Sequence, residues 1–325
     1  MSSIDPSVIT LPAASPTQIY VTISALDAGH LTLPESLFVT DAEPGKRSTV
    51  PSLSFLIQHS SPEPTNLVFD LGLKRDISGY RPAQQHHIAQ RQPTTVSPDV
   101  AESLRKGGIQ AEDVNTVILS HVHWDHVGTP TDFTSAEFIV GSGTLHLLAN
   151  GGGQLYPAEL FNADEVPHER TKELPPVRSE DKSKAYTRQT SHKWQPLGPF
   201  SSTIDLFADG SLYVVDAPGH LTGHVNLLAR IAPKKWVYLG GDCCHDPRIL
   251  SGEKGIALYD DGCGGKRSVH ADTDAARSTV ERISALMKEG RVREEGGGEV
   301  EVEVVVAHDG GWRSRNSTRF WPGHL

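Results

Sequence analysis

Cysteine is scarce in this chain: there are 3 in 325 residues, and two of them, Cys243 and Cys244, are neighbours. An odd number with that spacing builds no disulfide framework, and a chain of this length buries enough surface to fold without one. A reducing compartment, the cytoplasm, is the location this implies. Basic charge is also in deficit. The 30 Lys+Arg against 40 Asp+Glu leave a formal charge of −10, which argues against nucleic acid or an anionic membrane as the main partner. No apolar run approaches the ~20 residues that a membrane helix needs. Met1 to Ala14 lacks a basic stretch followed by an apolar one, so no signal peptide is expected, and Phe320 to Leu325 carries no lipidation or retrieval signal. Internal repeats and Pro- or Ser-rich linkers are missing too, so a single domain over residues 1–325 is expected.

Histidine, by contrast, is in excess, at 16 residues. Around it the chain alternates short apolar runs with Gly/Pro loops. Ile19–Ile23, Ser54–Ile57, Leu67–Phe69, Val117–Leu119 and Ala136–Val140 read as strands, rich in Val, Ile and Phe. So do Leu212–Val215, Asn226–Ala229, Trp236–Leu239 and Val302–Val306. Asp272 to Lys288 reads as a helix, with Ala276, Val280, Ile283 and Leu286 at spacings of three and four. Ser97 to Lys106 is a second, with Ser97 as cap, Pro98 in the first helical position and Gly107-Gly108 as its stop. Strands mixed with helices indicate α/β or α+β layers. Residues 151–193 form a polar excursion too long for a connector, and Arg291 to Glu301 reads as a solvated connection.

The informative stretch is Val117-Ile-Leu-Ser-His121-Val-His123-Trp-Asp125-His126-Val-Gly128. Four metal-competent side chains fall within six residues, directly after an apolar strand. Imidazole with carboxylate suits zinc and related divalent ions. A solvated histidine-rich loop is the plain alternative. Against it, burying four such groups without a metal leaves unpaired donors and acceptors, which is costly.

His-X-His-X-Asp-His in this setting resembles the metallo-β-lactamase superfamily. Three further segments resemble its remaining landmarks in order: Asp216-Ala-Pro-Gly219-His220, Leu239-Gly-Gly241-Asp242 and Val306-Ala-His308-Asp309. The resemblance runs from about Ile19 to Asp309 and implies an αββα sandwich, two mixed β-sheets packed face to face with helices outside. It implies His121, His123 and His220 as ligands of a first metal, Asp125, His126 and His308 as ligands of a second, and Asp242 as the bridge. Two divalent ions are implied, Zn2+ first, with iron and manganese compatible with the same donors. A bridging hydroxide would attack an activated carbonyl, with Asp125 as ligand and proton shuttle.

Ala28-Gly29-His30, the Pro51–His59 and Asn66–Gly72 segments, Pro218-Gly-His220-Leu-Thr-Gly-His224 and His270-Ala-Asp272 look like N-acyl-homoserine-lactone lactonases. The implied substrate is a small cyclic ester or amide, and a homodimer is compatible with the family. One departure stands out. That type carries Tyr three residues after the bridging Asp, where this chain has His245. An imidazole can act as a general acid near pH 7, which opens cyclic amides and carbamates, such as benzoxazolinones, beside lactones. A thioesterase or glyoxalase-like activity ranks lower, and an iron redox enzyme or a non-catalytic metal binder is the reading from another class.

Other residues carry weaker expectations. His224 is expected behind the ligands. Asp70 is expected either to orient a ligand or to close an Asx turn. Cys243 and Cys244 are expected as buried small apolar residues. His86 and His87 read as surface, and His146 and His192 have no evident partner. Trp124 is expected to pack under the site, with a substrate-facing role as the less favoured alternative, and Trp312 to flank the pocket. Leu155, Tyr156, Leu160 and Phe161 either wall the substrate or anchor the excursion.

Overall fold

The computed structural model describes residues 9–60, 63–177, 188–287 and 291–325. Its frame is two facing sheets. In the six-stranded sheet, Thr22–Leu26, Ser54–His59 and Thr65–Phe69 run antiparallel, and Thr116–Ile118, Glu137–Val140 and Thr171–Glu173 follow in parallel. The eight-stranded sheet runs Thr10–Leu11, Arg291–Glu294, Glu299–Val305, Lys235–Leu239, Val225–Ala232, Leu212–Asp216, Phe200–Asp205 and Gln195–Leu197. The pairing of Lys235–Leu239 with Glu299–Val305 is parallel, so the loops leaving both strands emerge at the same end. Those loops carry Asp242 and His308.

Six α-helices occur among the described residues: α1 Pro82–Ala89, α2 Val100–Lys106, α3 Thr144–Asn150, α4 Pro247–Leu250, α5 Thr273–Met287 and α6 Gly310–Arg315. Among the described residues, no helix is long and apolar enough to cross a membrane.

Alternation along each strand sorts its side chains into layers. Leu212 and Val214 join Phe55, Leu67 and Ile118 in the core between the sheets, whereas Tyr213 and Val215 point outward into a core shared with Val280 and Ile283 of α5. On the other side Val117 and Leu119 pack with Leu104 of α2 and Leu145 of α3. Central strands are thus buried on both faces, and their continuous apolar runs follow from that. The layers are those of the αββα sandwich.

Every strand expected from sequence is present, with shifted ends; the first spans Thr22–Leu26 rather than Ile19–Ile23. Two expectations are corrected. Helix α2 begins later than Ser97. Asp99 is its cap, accepting from the Glu102 amide at 2.8 Å while Glu102 reaches back to the Asp99 amide at 3.0 Å, so Pro98 precedes the helix. Arg291 to Glu301 is a hairpin rather than a solvated connection: Val292 and Val300 are buried opposite each other between exposed charged neighbours. Within the 151–193 excursion, Thr171–Glu173 is a strand of the six-stranded sheet. Residues 178–187 of that excursion, and Lys288 at the foot of the long helix, lie outside the described residues.

Candidate metal centre

The centre is assembled at strand ends. The chain leaves strand Thr116–Ile118 at Ser120, whose amide and hydroxyl donate to Asp70 Oδ1 and Oδ2 at 2.6 and 2.7 Å. Asp70 closes strand Thr65–Phe69 with φ of 61°, a left-handed conformation that Asp tolerates through its short polar side chain. Gly72 follows with φ of 67°, where a Cβ would come within 2.2 Å of the Ala28 carbonyl oxygen. This turn brings Asp70 Oδ2 to 2.8 Å from His126 Nδ1, which fixes that ring and turns its Nε2 inward. Of the two expectations for Asp70, orienting a ligand is the one its contacts fit.

Asp242 stands at the middle. Its Oδ1 lies 3.2 Å from both His126 Nε2 and His308 Nε2. Its Oδ2 faces His220 Nε2 at 3.5 Å and His121 Nε2 at 3.7 Å. On the Oδ2 side, His121 Nε2 and His220 Nε2 each approach His123 Nδ1 to 2.9 Å, so three imidazole nitrogens converge. On the Oδ1 side, Asp125 Oδ2 lies 3.6 Å from His308 Nε2. Three groups among the described residues could hold a metal: His121, His123, His220 and Asp242; Asp125, His126, Asp242 and His308; and His220, His245 and His270. All seven expected ligands are brought together, in the two expected sets.

The chemistry of these donors fits cations. His126 Nε2, His308 Nε2 and Asp242 Oδ1 are buried without a hydrogen-bond partner, an arrangement that costs stability unless something else completes it. Burial holds His121, His123 and His220 well below the ordinary histidine range, leaving neutral rings with free lone pairs. Burial opposes charge on His126 as well, but the Asp242 and Asp70 carboxylates outweigh it and hold that ring well above its usual range.

Supporting residues surround the donors. His224 Nε2 accepts from the Asp242 amide at 3.2 Å and its Nδ1 donates to the Ala217 carbonyl at 3.1 Å, so it holds Asp242 from behind, as expected. His270, which sequence gave no separate role, has its Nδ1 3.2 Å from His220 Nδ1 and braces that ring. His245 comes within 3.2 Å of Asp242 Oδ2 through Nε2 and packs on Phe38 at 4.6 Å between ring centroids. Cys243 and Cys244 are buried in a core cluster with Ile249 and Ile283 and do not line the cavity.

A cavity of about 650 Å3, counting the space at its open mouth, lies over His123, Asp125, His220, Asp242, His245 and His308. Leu31, Leu33, Phe38, Trp124, Phe161 and Val269 give it apolar walls. Tyr156 and Leu160 also line it, so the start of the excursion walls the site; Leu155 does not. The Tyr156 hydroxyl donates to the Val269 carbonyl.

Two expectations fail here. His87 is not a surface residue: it lines the cavity with Gln84 and Arg91, and burial pulls it down to about 4, whereas His86 is exposed. Trp312 does not flank the pocket. Helix α6 turns it into the core beside Phe55, where its Nε1 donates to Glu303 at 2.8 Å. His146 is exposed beside Asn150, and His192 Nε2 lies 3.3 Å from the Leu206 carbonyl.

The model of the metallo-beta-lactamase superfamily matches residues 48–240, more than half of the chain. The protein belongs to that superfamily and carries its hydrolase scaffold. Among curated relatives, gamma-lactamase FDB1 of Fusarium pseudograminearum is 30% identical over 75% of this chain and 58% of its own length. Metallo-hydrolase mfmC of Annulohypoxylon moriforme is 33% identical over 62% of this chain and 50% of its own. Cytochrome P450 monooxygenase mpaDE' of Penicillium brevicompactum is 29% identical over 94% of this chain, which spans only 35% of that protein. Among solved structures, a quorum-quenching N-acyl homoserine lactone hydrolase superposes with a TM-score of 0.62 over 95% of this chain and all of its own, at 18% identity.

Proposed function

We propose that the protein is a dinuclear metal hydrolase that opens a lactone or a related cyclic ester. One observation carries the reading: Asp242 turns one oxygen toward His126 and His308 and the other toward His121 and His220. A carboxylate divided between two sets of neutral or orphaned imidazoles is what a pair of bridged cations requires. His121, His123 and His220 would hold the first ion and Asp125, His126 and His308 the second, with Zn2+ the ion this reading assigns to both.

When bound, the two cations supply a water that is deprotonated near neutral pH and a Lewis acid for the carbonyl oxygen. The chain does the rest. Asp125, at the cavity face, would take the proton of the added hydroxyl as the tetrahedral carbon collapses to the carboxylate. His245 Nε2 gives a proton to the departing oxygen, the role that an imidazole fills at neutral pH without strong activation. Apolar walls exclude competing water and hold the ring of the substrate.

A second reading is a lactamase acting on a cyclic amide or carbamate. The 30% identity to a gamma-lactamase favours it, and so does His245, because a departing nitrogen must be protonated. The two are separated by assaying lactones, benzoxazolinone and thioesters alongside metal analysis. The hydrolase reading expects close to two metals per chain and turnover lost on chelation. Lactone turnover that survives full chelation would falsify it.

A further inference from the structure

Three residues that line the cavity take no part in the chemistry above. Gln84, His87 and Arg91 lie at spacings of three and four, so the face of α1 and its C-terminal turn presents them together. Arg91 is 8% exposed, and its Nη1 has no hydrogen-bond partner. Gln84 is 5% exposed with its Oε1 equally unpartnered. Another buried arginine, Arg230, also leaves Nε and Nη1 without a hydrogen-bond partner, but it does not line the cavity: it stacks on Trp236 at 4.1 Å, donates to the Pro12 carbonyl at 2.5 Å and has Glu294 at 4.0 Å. A guanidinium kept in a cavity with an unused donor is costly for the free protein, and it is the side chain best suited to a planar oxyanion.

We propose that Arg91 selects substrates that carry an anionic oxygen, a ring carboxylate or a phenolate, on the part of the molecule away from the bond that is opened, while Gln84 Oε1 on the same face accepts from a donor on that substrate. The ring itself lies between apolar residues such as Phe38, Trp124 and Phe161. This inference rests on the hydrolase reading for its reaction, but not for its binding.

The test uses metal-loaded, full-length protein and four probes of one shape: dihydrocoumarin, and the same lactone bearing a ring carboxylate, a ring hydroxyl or a neutral ring carboxamide. Wild type prefers the carboxylate or the phenol over the carboxamide, and which of the two leads identifies the oxyanion. In Arg91→Gln, kcat/KM for the preferred anionic lactone falls about 30-fold or more, while plain dihydrocoumarin and metal content change little. Arg91→Lys recovers part of the loss. Equal turnover of charged and neutral probes by wild type overturns the inference and leaves the hydrolase reading standing; this arm needs no variant to fold.

If no probe is turned over, the hydrolase reading fails and binding decides. Benzoate is then titrated against benzamide, with the fluorescence of Trp124 in the cavity wall as the signal. Benzoate binding that is lost in Arg91→Gln supports the inference. Binding unchanged by that substitution places the anion on the metals and overturns it, as does no binding at all.

Discussion

Two walls of one cavity are built on opposite terms. The metal wall is made where strands end: His121 to His126 after one strand, Asp242 after a second, His308 after a third. The helical wall is α1 and its exit turn, with Gln84, His87 and Arg91 facing the same space. In the first, the chain braces the donors from behind, as Asp70 does for His126 and His224 for the Asp242 amide, and leaves only inward-facing atoms such as His126 Nε2 and Asp242 Oδ1 without a hydrogen-bond partner. In the second, Arg91 Nη1 and Gln84 Oε1 have none. On the proposed function, the braced wall fixes the reacting atoms, and the unbraced one awaits part of a ligand.

That contrast can be broken by substitution. Asp242→Ala has the largest expected effect: both metals lose a shared donor, so metal content measured by atomic spectroscopy and turnover drop to background together. If one metal and much of the activity persist, the bridging role is wrong. His245→Ala lowers kcat about 100-fold or more, with KM and metal content nearly unchanged; a change confined to KM would move His245 from proton donor to binding residue. Asp70→Asn removes the acceptor that aligns His126 and costs about 10- to 100-fold in metal affinity or activity, read by competition with a chelator. On the helical wall, Gln84→Ala raises KM for the preferred substrate about threefold to tenfold and leaves metal content alone. A helical-wall variant that sheds metal, or a metal-wall variant that only alters substrate preference, would erase the distinction.

The same contrast decides how much was legible in the sequence. Ligands that must converge from one strand end lie within six residues of each other, so their chemistry shows as a local pattern. Asp242 and His308 each follow an apolar strand, which marks them nearly as clearly. Strands such as Leu212–Asp216, buried on both faces, announce themselves as apolar runs. Helix α1 does not. Only Ile88 of its inward face reaches the core, while Gln84 and His87 meet the cavity, so periodicity carries little signal there and His87 reads as surface. The hairpin at Arg291–Glu301 hid for a related reason: single valines alternate with charges in strands buried on one face only, and the charges dominate composition. Asp70 stayed ambiguous because the amide it serves, Ser120, is fifty positions away. Trp312 misled in the other direction, since nearness to His308 in sequence says nothing of which way α6 turns it.

The loop that carries Asp125 and His126 is tied down along its length. The Leu71 amide donates to the His126 carbonyl at 2.8 Å, the Gly128 amide to the Gly72 carbonyl at 2.9 Å, and the Ser52 hydroxyl to the Asp125 carbonyl. Those ties belong to the polypeptide and not to the ions. The entropy of ordering this loop is therefore spent during folding, and metal capture has little left to immobilise. An apoprotein built this way keeps its Leu71 and Gly128 amides protected from hydrogen exchange, so stripping the metals leaves a vacant but standing socket rather than an unravelled one.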